Sequence, residues 1–293
     1  MTGHTRSMAL AVGLVAGICV PAAGQTFGQL AGCSDEPQQF HQCARAKAKD
    51  FNPPRTPDGK PDFRGYWSRA GVFGTDNIEE HQPGLGDPGG KSLVVDPPDG
   101  RIPYQPWAVA AKAPYENTYM DPAALCYLPG SPKQLYTAGV NQILQTPDSV
   151  IFINDYTHAY RVIPTDDRPR PGANVRLFMG TSRGRWEGNT LVVDVTNQNA
   201  KTWFDHVGNF FSDAVHVVER WTMIGPDAIH LEARIEDPNV FTRPWTMAFG
   251  LRRSGDAAYE MWENACHEGN VLRWPATDLT NHLQLYFGTT PPR

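Results

Sequence analysis

Three side chains in the later half of the sequence are of types that move protons: His206, Glu219 and Tyr156. His206 lies in a long break between strand-like runs, and histidine exchanges its proton near neutral pH. Asp205 or Asp213 is the expected partner that orients it. In a strand, Glu219 would lie among apolar neighbours, where a carboxylate either takes part in proton transfer or is neutralised by a partner. These residue types predict acid–base chemistry without a cofactor.

A second set of residues has the types that hold a small molecule. Arg243 is the only charge on the apolar face of the run 241–252, where it would bind a substrate anion or form a structural ion pair with Glu219. Asp194, in the run 190–196, is either a cross-strand partner or a residue at the mouth of the site. The other predicted substrate-binding residues are His158, Trp203 and Trp245.

The run 149–163 would give one strand an aromatic, hydrogen-bonding face. Its members are Phe152, Asn154, Tyr156, His158 and Tyr160. That composition suits the lining of a small-molecule pocket. It equally suits an outer face that is covered by the preceding segment.

These residues would be positioned by about eight short runs of alternating polarity, each bounded by turn residues. We predict strands at 139–145, 149–163, 175–186, 190–196, 215–224, 228–236, 241–252 and 257–266. Consecutive strands joined by tight hairpins form an antiparallel meander, whose simplest edge-free closure is an up-and-down barrel of the lipocalin or calycin type. A two-sheet sandwich is the alternative. The predicted fold class is all-β.

The preceding segment, residues 25–137, is expected to be mostly irregular and to wrap against a barrel formed by residues 138–293. It contains most of the 26 prolines of the chain. Its aromatic residues favour packing over a free linker. Short helices are predicted at 38–49 and 105–113.

The first 24 residues have the layout of a secretory signal peptide: one arginine, an apolar stretch, and small residues before an expected cleavage near Gly24. The apolar stretch is too short for a stable membrane anchor. Losing Arg6 with this segment changes the formal net charge from −5 to −6. The remaining chain is mildly acidic without a basic run, which argues against nucleic acid as a partner. The expected location is periplasmic or secreted.

Four cysteines remain after cleavage, and such a set in an exported chain predicts two disulfides. Three pairings are possible, and we favour Cys33–Cys43 as a local loop with Cys126–Cys266 as a long-range link. The sequence has no C-x2-C or H-E-x-x-H spacing and no nucleotide-binding glycine pattern. Neither a metal nor another cofactor is therefore expected.

Four motifs resemble a family of exported bacterial hypothetical proteins. They are RTPDGKPDF (55–63) followed by GYW (65–67), GRWEGNTLVVD (184–194), SDAVHVVERW (212–221) and EDPNVFTRPW (236–245). The resemblance covers about residues 53–270 and implies a shared architecture more than a chemistry. Phe211 stands where the family pattern often has histidine, and Asn189 where it often has aspartate, so no role of that histidine transfers. Gly65 and Trp67 also resemble the G-x-W signature of the first lipocalin strand.

The sequence favours an exported enzyme that acts without a cofactor on a small aromatic or apolar molecule inside the barrel, by elimination, decarboxylation or isomerisation. One alternative is a periplasmic lipocalin-like carrier of a hydrophobic molecule. Another is a structural protein with a filled barrel. A closed cavity containing both Glu219 and Arg243 would distinguish the enzyme from the other two.

Overall fold

The computed structural model describes residues 29–70, 77–83, 89–113, 119–137, 139–156, 158–256, 258–264, 266 and 284–285. The helices are α1 (Pro37–Asp50) and α2 (Pro106–Lys112), with 3₁₀ turns at Pro122–Leu125 and Lys133–Leu135. The strands are β1 (Gly65–Ala70), β2 (Val94–Asp96), β3 (Tyr119–Met120), β4 (Val140–Thr146), β5 (Ser149–Asn154), β6 (Tyr160–Pro164), β7 (Thr181–Glu187), β8 (Thr190–Thr196), β9 (His216–Gly225), β10 (Ala228–Glu236), β11 (Trp245–Arg253) and β12 (Gln284–Leu285).

Nine strands form an antiparallel, nearly closed barrel in the order β6-β5-β4-β1-β11-β10-β9-β8-β7. β2 pairs with β11 off this path, and β3 pairs with β12 in a separate parallel pair. Most neighbours in the barrel are also consecutive in sequence, as the alternating runs and turn residues predicted. The all-β barrel is therefore confirmed.

The barrel closes between its two edge strands, β6 and β7. Arg161 of β6 donates through Nε to the Oγ of Ser182 on β7 at 2.8 Å. Gly184 of β7 allows the close approach, because a Cβ there would lie 2.9 Å from the Cγ2 of Ile163. The glycine in the GRWEG turn motif thus has a packing role at the seam of the barrel.

The segment before residue 138 takes part in the barrel wall. Its strand β1 lies between β4 and β11, with Trp67 opposite Asn141 and Arg253. The sequence predicted that the barrel begins at residue 138, whereas β1 of the barrel wall lies before that position. The helices expected at 38–49 and 105–113 are both present, and α1 packs outside the barrel against β9, β10 and β11.

Sequence alternation located most of the strands, and the bounds 190–196 and 228–236 match the structure. The prediction of one strand over 149–163 is wrong, because the chain turns between β5 and β6. The prediction at 257–266 is also wrong for the described residues, in which no strand is found. The predicted signal segment 1–24 lies outside the described residues.

Inward-facing side chains fill the barrel. Trp67, Trp221, Trp245 and Phe152 are each 0% exposed and belong to one continuous apolar cluster. Bulky rings from four strands thus occupy the space in which a substrate cavity was expected. The described residues form a packed core there, and the prediction of a substrate inside the barrel is not supported.

Both expected disulfides form. Cys33–Cys43 links the turn before α1 to the helix itself. Cys126–Cys266 joins the end of a 3₁₀ turn to a residue 140 positions later. Among the described residues, no helix has the length and apolar character needed to cross a bilayer.

Candidate active site

Glu219 points into the barrel and is 0% exposed, as the alternation along β9 predicted. Its partner is Arg161, whose Nη1 and Nη2 donate to Oε1 at 3.0 Å and to Oε2 at 2.7 Å. Ser131 Oγ also donates to Oε1, and Trp221 Nε1 donates to Oε2 at 3.0 Å. Both carboxylate oxygens are occupied by buried donors. Glu219 therefore links β9 to β6 beside the seam, and its predicted catalytic role stays a prediction.

The predicted pair of Glu219 with Arg243 is wrong. Arg243 is 44% exposed and binds Asp96, with Nη2 and Oδ1 3.1 Å apart. It lies in a bend that ends at Pro244, just before β11 begins. Alternation assigns faces only within an extended strand, so it does not apply to this position. Arg243 cannot hold a substrate anion beside Glu219.

One end of the barrel is the end where β5 and β8 finish and where β6, β7 and β9 start. The connection 197–215 meets the segment 121–137 there, and we call the two together the end plug. Thr202 Oγ1 donates to the carbonyl of Pro129 at 3.0 Å, and Gln198 Nε2 donates to that of Ser131 at 2.9 Å. The end plug covers the packed core.

The connection 197–215 contains the long break in which the sequence places His206. Its residues 202–205 and 208–212 are buried, so it is packed in place. Asp205 anchors it, accepting from the backbone N–H groups of Ile78 and Asn209, each at 3.0 Å. Burial raises the pKa of Asp205. This carboxyl thus holds the plug together.

The candidate site is a cluster of His206, Asp121 and Lys133 in the end plug. The Nε2 of His206 lies 3.3 Å from Oδ2 of Asp121, and the Nζ of Lys133 donates to the same oxygen. The other oxygen, Oδ1, accepts from Ala123 N at 3.0 Å. The side chains of Asp121 and Lys133 are each 1% exposed, whereas that of His206 is 38% exposed. A buried carboxylate thus lies beside an imidazole that is partly exposed to solvent.

Asp121 takes the place predicted for Asp205 or Asp213 beside His206. Asp213 is exposed, and its Oδ2 lies 3.9 Å from Nη2 of Arg176. Asp121 was missed because it lies far from His206 in the sequence. Asp121 directly precedes Pro122 and a 3₁₀ turn, and Lys133 begins the next 3₁₀ turn. This arrangement of residues is not a sequence pattern that is typical of a catalytic site.

Four other predicted site residues lie in two different places, the β5–β6 connection and the apolar core. Tyr156 and His158 lie in the turn between β5 and β6, where Tyr156 is half-buried and His158 is exposed. They do not line a pocket inside the barrel. Trp203 and Trp245 are 1% and 0% exposed, so they belong to the core rather than to a binding surface. The roles of these four residues in catalysis or substrate binding stay predictions.

Asp194 is a cross-strand partner, one of the two interpretations of the sequence. Its Oδ2 lies 2.8 Å from the Nε2 of His216 on β9, and Arg170 donates to its Oδ1. The hydrogen bond to His216 lowers the pKa of Asp194 and raises that of His216. The group is half-buried on the outer face of β8 and is not part of the His206 cluster.

The two departures from the family pattern have separate structural settings. Phe211 is 2% exposed and lies in the core, with its ring centroid 4.9 Å from that of Phe204. The Oδ1 of Asn189 accepts from Arg55 Nη2 at 2.6 Å, which ties the β7–β8 turn to the early TPDGK region. No family model and no curated protein shows a significant match to the chain.

Proposed function

We propose that the protein is an enzyme that uses His206 for acid–base catalysis on a small molecule bound at the end plug. The single observation that carries the proposal is the half-exposed imidazole next to a buried, lysine-bound carboxylate. A histidine with one nitrogen oriented by a carboxylate is a recurring device for proton transfer. Proton transfer alone suffices for elimination, decarboxylation or isomerisation, so the proposal requires no cofactor.

Asp121 and Lys133 are positioning residues in this proposal. When Nε2 of His206 carries the proton and donates to Asp121, the ring has a fixed orientation and its Nδ1 is the basic nitrogen. Lys133 keeps the carboxylate in place from the buried side. Lysine is almost never fully buried unless it is paired. Its position at 1% exposure therefore indicates that Asp121 is held with little freedom.

A small aromatic substrate fits the surroundings of this end of the barrel. Tyr127 and Phe178 stack there with ring centroids 5.9 Å apart. Tyr127 is 37% exposed, and it belongs to the same segment 121–137 as the Asp121 carboxylate. A partly exposed ring beside polar groups suits a flat apolar molecule with a polar substituent.

Export from the cytoplasm is part of the proposal. Cys33–Cys43 and Cys126–Cys266 are bonded, and such disulfides persist mainly in oxidising compartments. The apolar leader sequence ending near Gly24 and the motif resemblance to exported bacterial proteins point in the same direction. A periplasmic or secreted enzyme would act on small molecules that enter from outside.

The test is a comparison of substrate conversion by untargeted mass spectrometry. Purified wild type, His206→Ala and His158→Ala are incubated with a mixture of phenolic and other aromatic acids. We expect the wild type and His158→Ala, whose exposed histidine lies elsewhere, to convert the same compound. His206→Ala should remain folded and convert none of it. Equal conversion by His206→Ala would refute the proposal.

A second candidate, a carrier of a hydrophobic molecule, is favoured by one specific feature outside the barrel. A groove of about 260 Å³ lies between α1 and the strands β1 and β11. Its apolar lining is formed by Leu30, Pro37, Phe40, Ala70, Leu93, Ala248 and Phe249. Native mass spectrometry would distinguish the two functions: a carrier should retain an apolar molecule and return it unaltered.

A further inference from the structure

The outer face of β10 carries a cluster that the sequence did not indicate. His230 and Glu232 are two positions apart in β10, so both side chains lie on that face. His41 of α1 contacts them where the helix covers the sheet. One ligand atom from each of the three lies within 4.8 Å of the other two. The Nδ1 of His41 and the Nε2 of His230 are 3.1 Å apart. We call these three residues the His41 cluster.

We propose that the His41 cluster binds a zinc ion through His41 Nδ1, His230 Nε2 and the Glu232 carboxylate. Zinc bonds of about 2.0–2.1 Å at tetrahedral angles put two ligand atoms roughly 3.3 Å apart. The two imidazole nitrogens are therefore already near the required separation, and small side-chain rotations would bring in the carboxylate. Two histidines and one glutamate also form a donor set that zinc uses in proteins.

The packing of α1 supports this assignment by fixing the ligands. His230 is 3% exposed, and the ring of Phe40 meets its ring edge-on with centroids 5.7 Å apart. The helix that carries His41 is tethered by the Cys33–Cys43 disulfide and starts at a Glu36 cap.

The fourth coordination position would face a polar cavity. His230 and Glu232 line a space of about 360 Å³ together with Arg45, Lys49 and Arg220. Arg45 and Lys49 are exposed, and the Glu232 carboxylate supplies the negative charge that faces them. Arg220 is compensated by Glu187, with Nη1 and Oε2 2.9 Å apart. Water or a small anion would complete the coordination.

The site is distinct from the proposed catalytic cluster, which lies in the end plug at the barrel end, whereas the His41 cluster lies on its outer wall. Either proposal can therefore fail without the other. Zinc at this position would fasten α1 to β10 and thereby stabilise the helix on the barrel. Loss of zinc should lower Tm without removing proton-transfer activity.

The test is zinc titration of untagged, chelator-treated protein by calorimetry, with the bound metal counted by elemental analysis. We expect one zinc ion per chain, a rise in Tm with zinc, and binding weakened at least about tenfold in His41→Ala and Glu232→Gln. His158→Ala is the matched control and should bind like the wild type. Absence of binding by the wild type, or unchanged binding in either ligand variant, would overturn the proposal.

Should a ligand variant unfold, X-ray absorption spectroscopy of the zinc-loaded wild type supplies the result instead. Two imidazole nitrogens and a carboxylate oxygen are expected in the coordination shell. A shell with fewer than two imidazoles would overturn the assignment.

Discussion

The ion pair of Glu219 with Arg161 leads to a quantitative stability prediction. Glu219→Gln keeps the side-chain shape but removes the negative charge that faces Arg161. The guanidinium is 2% exposed and binds both carboxylate oxygens, so it would be left as an uncompensated buried charge. Breaking one side of such a pair lowers the free energy of unfolding by about 3–5 kcal/mol. That loss is a large share of the roughly 5–15 kcal/mol that stabilises an ordinary domain.

The pair on the barrel surface is the matched comparison. Asp96→Asn removes the partner of Arg243, and both side chains of that pair are about half exposed. An exposed ion pair contributes about 0–1 kcal/mol. Replacing Arg161 with Met in the Glu219→Gln background should restore part of the lost stability, because the unpaired charge is then absent.

Urea denaturation of the four proteins, followed by tryptophan fluorescence, measures these differences. Wild type and Asp96→Asn should have similar midpoints, Glu219→Gln a much lower one, and the double variant an intermediate one. If the free energy of unfolding of Glu219→Gln lay within about 1 kcal/mol of the wild-type value, the Glu219 carboxylate would not stabilise the barrel as argued.

Three further predictions concern other polar contacts and the long-range disulfide. The hydrogen bond that His216 donates to Asp194 raises the folded-state pKa of His216 above 6.5. The stabilising contribution of this hydrogen bond is therefore complete below pH 6.5 and is lost as pH rises through the raised value. The urea midpoint of wild type should therefore exceed that of His216→Ala by more at about pH 5.5 than at about pH 9. Replacing Cys126 and Cys266 with Ser opens a loop of 140 residues, which should lower the free energy of unfolding by about 5 kcal/mol in the chain-entropy model. Asp121→Asn leaves its buried lysine partner unpaired, so a urea titration should show a loss of about 3–5 kcal/mol.

The sequence predicted the barrel because alternation and turn residues are local signals. β8 and β10 were placed correctly, and the inward position of Glu219 followed from the same alternation. Both disulfides were also identified, since one pairing joins cysteines close in sequence and leaves the other two together. These features depend on few long-range contacts.

The partners of the polar residues could not be predicted in this way. The prediction of one strand over 149–163 put Tyr156, His158 and Tyr160 on the same face as Phe152, whereas the break between β5 and β6 changes the alternation. Arg161 therefore points inward, and it replaces Arg243 as the partner of Glu219.

Long-range assembly also concealed two clusters. Asp121 reaches His206 only because the segment 121–137 packs on the connection after β8. His41 reaches His230 only because α1 covers β10, and neither spacing resembles a known ligand motif. Pairs of this kind depend on tertiary packing and leave no local pattern.

The proposed function places proton transfer on His206. The most direct measurement is the ratio of kcat/KM between wild type and His206→Ala on the compound that the mass spectrometric comparison identifies. If His206 transfers the proton, kcat/KM should be about 10²–10⁴ times higher for wild type than for His206→Ala, while His206→Ala remains folded. A ratio near one, or no conversion of any compound by the wild type, would contradict it.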